Sequence, residues 1–185
     1  MVIGRGRERF STLVHAPIPG IVSRVGKMKS PDGTWSEAVV IELSGEFDQL
    51  GKPAKRHDWE ELPSESLLQL IEEAGVVGLG RSSLPLSLEV RRYIEAEAPI
   101  LVLDVAETEP YGFALGPFMD RFGDEVLEGA AVVARIIGAE HVTVATARTL
   151  GPHYSRVRRA ARRRGYSSFG VPALFPGNLD AYLKR

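Results

Sequence analysis

Residues 100–106 read Ile100-Leu101-Val102-Leu103-Asp104-Val105-Ala106, and this run decides the fold class. A strand with one face in water alternates apolar and polar residues. A run that is apolar at nearly every position is expected where helices cover both faces, as in a parallel sheet. Downstream, Met119, Phe122, Val126, Ala130, Val133 and Ile137 recur at three- and four-residue spacing, the period of one helix face. Gly138 follows as the helix stop. His141 to Ala147 (HVTVATA) then predicts a second strand, Tyr154 to Arg164 a helix, Ser167 to Leu174 a third strand, and Asn178 to Lys184 a short closing helix. Strands separated by helices imply βαβ units and a parallel sheet.

Upstream, Pro63-Ser64-Glu65 opens a helix with apolar positions Leu67, Leu68, Ile71 and Ala74, and Gly75 stands where a left-handed helix stop belongs. Before residue 60 the pattern changes. Thr12 to His15, Gly20 to Val25 and Ala38 to Leu43 read as strands, punctuated by Pro17, Pro19-Gly20, Pro31-Asp32-Gly33 and Gly51-Lys52-Pro53. The expected fold is therefore α/β. Residues 1–55 form a small all-β module with a core of Leu13, Val14, Ile21, Val22, Val39 and Ile41. Residues 60–185 form a three-layer, Rossmann-like α/β domain with a mainly parallel sheet.

Composition narrows the chemistry. The 185 residues are 44% hydrophobic and 25% charged, with a formal net charge of -1, so a packed core is expected and polyanion binding by the whole chain, nucleic acid included, is not. There is no cysteine, which excludes disulfides, thiol catalysis and cysteine-ligated zinc or iron–sulfur clusters within these residues. No apolar run approaches the ~20 residues of a membrane span, and the N-terminal MVIGRGRERF lacks the apolar core of a signal peptide. The expected location is cytoplasmic, and peripheral at most to the inner face of a membrane.

In an open parallel sheet, ligands bind beyond the carboxyl ends of the strands. Those ends carry Glu107-Thr108-Glu109-Pro110-Tyr111, Arg148 to His153, and Phe175 to Asn178, and the glycine-bearing loop Gly78 to Leu86 precedes the first of them. Glu107 and Glu109 lie two apart, so in extended chain they point the same way and can share protons or bond a heterocycle. The competing reading is that one of them caps a neighbouring helix. His153 offers an acid or base, though a lone loop histidine is ordinarily solvated. No catalytic triad and no metal-ligand spacing is present. The arginine-rich helix, residues 156–164, places Val157, Ala160 and Ala161 on one face and most arginines outside. It reads as a solvated basic face or as a contact for an acidic partner.

Four motifs in order carry a resemblance. They are His15-Ala16-Pro17 with Gly20-Ile21-Val22, Ala74-Gly75-Val76-Val77-Gly78-Leu79-Gly80 with Pro85, Ala106-Glu107-Thr108-Glu109-Pro110-Tyr111, and Asp124-Glu125-Val126-Leu127-Glu128-Gly129 with Gly138-Ala139. Together they resemble the RnfC subunit of the Rnf electron-transport complex and, more distantly, the flavoprotein subunit of respiratory complex I. The resemblance implies that residues 1–55 are a barrel-sandwich module of the biotinyl and lipoyl type. Lys27-Met28-Lys29 follows the Gly20 strand too soon to be a carrier lysine hairpin.

The same resemblance implies an FMN site and a role as an NADH-linked flavin oxidoreductase component, with electrons passed to a separate iron–sulfur partner subunit. On this reading Gly78, Gly80, Arg81, Glu107, Glu109 and Tyr111 bind the cofactor, and Glu107 and Glu109 face the flavin ring and the nicotinamide. The chain also departs from the family. Arg81 and Ser83 stand where that loop has glycines, Leu84 where it has Phe, and Leu86 where it has Thr; Asp104-Val105 replaces Asn-Gly, and Leu115-Gly116 replaces an acidic pair. Arg81 can replace lost backbone donors by pairing with the flavin phosphate. The alternative is a degenerate, non-catalytic homologue that keeps the fold as a structural or docking protein.

Overall fold

A computed structural model describes residues 1–6, 10–45, 57–78, 84–107, 112–148 and 151–172. The helix expected over 178–184 lies outside them. The chain divides into two compact units, Met1–Glu61 with Gln69–Leu88, and Leu62–Leu68 with Glu89–Arg185.

In the first unit, β1 (Val2–Arg5) pairs antiparallel with β2 (Leu13–His15), and β3 (Gly20–Lys29) pairs antiparallel with β4 (Trp35–Leu43). The β3–β4 turn is built by its own polar side chains. Asp32 Oδ1 accepts the N–H and the hydroxyl of Thr34 at 3.0 and 2.8 Å, and Gly33 takes a positive φ of 88°, a conformation that favours glycine. The strands run further than the apolar pattern predicts, because the ladder extends through Lys27, Met28 and Lys29 to the turn.

The core expected here does not form. Val14, Ile21 and Val22 are 53%, 68% and 40% exposed. Two separate two-stranded ribbons are found among the described residues, and a lone ribbon has no second layer to bury its apolar face against.

The first unit also holds the end of α1 (Ser64–Ala74) and the start of α2 (Leu86–Glu95). Gly75 ends α1 at φ 67°, and Val76 N–H reaches back to Ile71 C=O at 3.4 Å, the Schellman closure that needs a left-handed residue. The chain then turns back on itself. Leu86 N–H bonds Val76 C=O at 2.9 Å, Val77 bridges Pro85, and Gly78 N–H bonds Leu84 C=O at 3.1 Å.

The second unit carries the predicted parallel sheet, ordered β5-β6-β7, with β5 Ile100–Val105, β6 His141–Ala147 and β7 Ser167–Val171. Both β5–β6 and β6–β7 are parallel. The crossovers are α3 (Leu115–Ile137) and α4 (His153–Arg163). The core joins Val105 and Val144 of the sheet to Met119 and Leu127 of α3 and Val157 and Ala161 of α4. Each large apolar side chain removed from water here contributes roughly 1.5–3 kcal/mol. Val144, Ala145, Thr146 and Ala147 are all fully buried. Side chains alternate between faces along a strand, so both faces of the central strand are covered, as the apolar runs predict.

Gly138 ends α3 at φ 70°, its N–H turned back to the carbonyls of Ala134 and Arg135. Within α3, Phe122 leaves helical geometry (φ −123°, ψ 15°) immediately before the buried Gly123. A glycine is a common seat for such a kink.

Candidate functional site at the carboxyl edge of the sheet

Beyond Val105 the chain turns at Asp104, whose Oδ1 accepts Ala106 N–H at 2.9 Å. Glu107 comes next, and its side chain reaches forward along the sequence. Glu107 Oε1 accepts the N–H groups of Ala114 at 3.1 Å and Leu115 at 3.4 Å. These are the first N–H groups of α3, whose cap residue Ala114 has no side-chain acceptor of its own. A helix leaves four such groups unsatisfied. Here Glu107 takes two, and Pro117 in the same turn has none to offer.

A negative charge at a helix N-terminus also opposes the helix dipole favourably. Gly112 is what admits this side chain. A Cβ there would lie 2.8 Å from Glu107 Cγ and 2.9 Å from Oε1. Glu107 is therefore the cap of α3, the competing reading of the acidic pair, and it clamps the two ends of the loop that carries Glu109 and Tyr111.

A second cluster ties the starts of α3 and α4 together. His153 Nδ1 lies 2.7 Å from Asp120 Oδ2, and the Arg156 guanidinium contacts the same oxygen. The His153 and Asp120 side chains are 23% and 28% exposed. The imidazole lies against Gly116, where a Cβ would fall 2.6 Å from His153 Cδ2. His153 is thus partnered and partly buried at the head of α4, rather than solvated in a loop. Burial works to raise the Asp120 pKa, but the hydrogen bonds and positive charge of His153 and Arg156 outweigh it and hold the carboxyl below its ordinary value. The sequence gives no sign of this cluster beyond the residue types, since its members are 33 and 36 positions apart.

Gly78, of the first unit, commits its N–H to Leu84 C=O, so it contributes no free backbone donor to a ligand. Gly80, Arg81, Glu109 and Tyr111 lie outside the described residues, as does Phe175 to Asn178. For a flavin, the donor chemistry divides. The N-terminus of α3, a ready anion site in a parallel α/β unit, is filled by the chain's own carboxylate and does not fit a phosphate. The carboxyl edge instead carries fixed negative charge at Glu107 and Asp120.

Among the described residues, no group of three or more histidine or acidic side chains is placed to hold a metal ion. No helix among them is long and apolar enough to cross a membrane.

Comparison with known proteins places these features in context. Residues 71–172 of the 185 match the Nuo51 FMN-binding domain. The RnfC-type subunit of the proton-translocating ferredoxin:NAD(+) oxidoreductase complex of Clostridium ljungdahlii is 26% identical over 183 residues, covering 98% of this chain and 40% of that protein. Its counterpart in the ion-translocating oxidoreductase complex of Rhodobacter capsulatus is 26% identical over 188 residues, covering 100% of this chain and 36% of that protein. The counterpart in the ion-translocating oxidoreductase complex of Serratia proteamaculans is 30% identical over 139 residues, covering 74% of this chain and 19% of that protein.

These are the proteins to which the sequence motifs point. The chain spans 40% or less of the length of each. Among solved structures, an NAD+-reducing NiFe hydrogenase in the air-oxidized state aligns with a TM-score of 0.46 and 22% identity over 60% of this chain and 20% of that one.

Proposed function

Because the chain belongs to the Nuo51 FMN-binding domain family, we propose that it is an FMN-binding electron-transfer domain of the RnfC type. The observation that carries this reading is the family match over residues 71–172, which takes in the glycine loop and the whole acidic loop after β5. When bound, the flavin supplies the redox chemistry, taking a hydride from a nicotinamide cofactor and releasing electrons singly to a separate iron–sulfur subunit. The protein supplies position and charge. Glu107 acts through its cap on α3, closing the loop so that Glu109 and Tyr111 face the ring. Arg81 holds the phosphate, because the N-terminus of α3 is taken by Glu107 and the Gly78 N–H by Leu84. The domain works at the surface of its complex, peripheral to the membrane.

A second reading, a non-catalytic homologue kept for docking, is favoured by the same commitment of Glu107 and Gly78 and by Arg81 and Ser83 in place of glycine. A flavin titration separates the two. Protein is added to FMN and flavin fluorescence followed, for wild type and Arg81→Ala. The first reading expects stoichiometric quenching, weakened about ten- to a hundredfold by the substitution, the scale of one charge-assisted hydrogen bond. Quenching that ignores the substitution keeps the flavin and discards Arg81. No binding by wild type, checked by calorimetry, discards the flavin and leaves the docking role.

A further inference from the structure

The arginine helix is not the uniformly basic surface its composition suggests. Arg158 turns inward, donating to Ser168 Oγ at 3.1 Å and to Tyr154 Oη at 3.3 Å, with its guanidinium over the Tyr154 ring. Arg156, Arg159 and Arg163 form one row along the exposed side of α4, at the three- and four-residue spacing that aligns side chains on a helix. That row is one wall of an open groove of about 400 Å³ between α3 and α4. The other wall is acidic, with Asp120, Asp124 and Glu125 of α3. Met119, Gly123, Val157 and Ala160 line the space between. Gly123 keeps it open, since a Cβ there would meet only the Met119 methyl, at 3.6 Å.

The walls join at one end, through Arg156 and Asp120. Further along, Asp124 and Glu125 face Arg159 and Arg163 without an ion pair among the described residues. We propose that this groove docks an amphipathic helix of a partner protein, whose apolar strip lies on the groove floor, whose basic flank meets α3 and whose acidic flank meets α4. Helix-in-groove recognition uses this geometry, and charge of both signs fixes which partner fits more than how tightly it holds.

The charge pattern selects among occupants. A lipid surface or a nucleic acid presents one sign only, and the Asp124–Glu125 wall repels it. A two-signed helix satisfies both walls. The proposal is independent of the flavin reading.

The test uses the full chain and three fluorescent helical peptides with the same Leu/Ala strip. One has a Lys flank and a Glu flank, one has Glu on both, and one has Lys on both. Binding is followed by anisotropy at low salt. The two-signed peptide should bind about tenfold tighter than either one-signed peptide. In Arg159→Glu/Arg163→Glu the preference should pass to the all-Lys peptide, while thermal unfolding stays near wild type because both side chains are exposed. Tightest binding of the all-Glu peptide overturns the proposal in favour of a plain basic patch, and no binding of any peptide overturns it outright. Sedimentation with anionic phosphatidylglycerol vesicles, or self-association that the double substitution abolishes, would assign the groove to lipid or to a second copy instead.

Discussion

His153 Nδ1 and Asp120 Oδ2 meet at 2.7 Å across 33 residues of sequence, joining the first turn of α4 to the second turn of α3. Arg156 adds a second positive partner on the same oxygen. Burial raises the Asp120 pKa and these partners lower it by more, leaving it below its ordinary 3.8. A carboxyl depressed in the folded state contributes stability that is fully present above its unfolded pKa and is lost as pH falls through the folded one. Wild type should therefore lose Tm faster than Asp120→Asn as pH drops from about 5 to about 2. Asp32, held low by the Thr34 N–H and hydroxyl, titrates in both proteins and cancels in the comparison. Parallel Tm curves would remove Asp120 from the acid sensitivity of the fold.

Gly116 makes room for that cluster. A methyl group at 116 lies 2.6 Å from His153 Cδ2, so the ring must move and its hold on Asp120 is disturbed. Gly116→Ala should destabilise by about 1–3 kcal/mol, the usual cost of overpacking. In a His153→Ala background the methyl group meets no ring and most of that cost should vanish, a coupling that a double-mutant cycle in urea reads directly. Equal costs in both backgrounds would place the clash elsewhere.

How far the fold is legible follows from where its information sits. β6 is written into HVTVATA with the bounds the structure shows, because a strand buried on both faces leaves an apolar run with clear ends. α2 is not predicted, although Leu86–Glu95 is helical. Its sequence puts Leu86, Leu88 and Val90 in strand-like alternation, and Pro85 before it reads as loop. β1 is missed because Val2–Arg5 holds only two apolar residues, and it gains its definition from pairing with β2. The expected core of the β ribbons fails for a related reason. Alternation tells which face is apolar and says nothing of what covers it.

At the site, the acidic pair is visible as a pair. That Glu107 serves α3 depends on Gly112 being small enough to let the side chain through, a relation no spacing rule contains. The Asp120–His153 contact is invisible for a simpler reason, since it exists only once α3 and α4 pack side by side.

Glu107 tests the capping argument. Glu107→Ala leaves the Ala114 and Leu115 N–H groups without an acceptor and removes the charge at the N-terminus of α3. Loss of a cap costs about 0.5–2 kcal/mol. Glu107→Gln keeps an acceptor oxygen and should recover most of that stability in denaturant unfolding. A residue held only for chemistry would give the opposite pattern, with both variants near wild type in stability. Glu107→Gln losing as much stability as Glu107→Ala would mean that charge, and not the acceptor, does the capping.

Two glycines separate backbone strain from steric contact. Gly75 and Gly138 close α1 and α3 at nearly the same φ, 67° and 70°. A side chain at either incurs the left-handed penalty, roughly 1–2 kcal/mol. They differ in what surrounds them. A Cβ at Gly138 meets nothing within 4 Å, whereas one at Gly75 lies 2.5 Å from the Leu13 carbonyl oxygen, a backbone atom of β2 that cannot swing aside. Gly138→Ala should therefore cost only the conformational term. Gly75→Ala should cost more, and part of the loss should appear as faster hydrogen exchange of β1 and β2 amides as β2 is pushed from the end of α1. Equal destabilisation of the two variants, with exchange in β1 and β2 unchanged, would show that the end of α1 does not bear on β2 in solution.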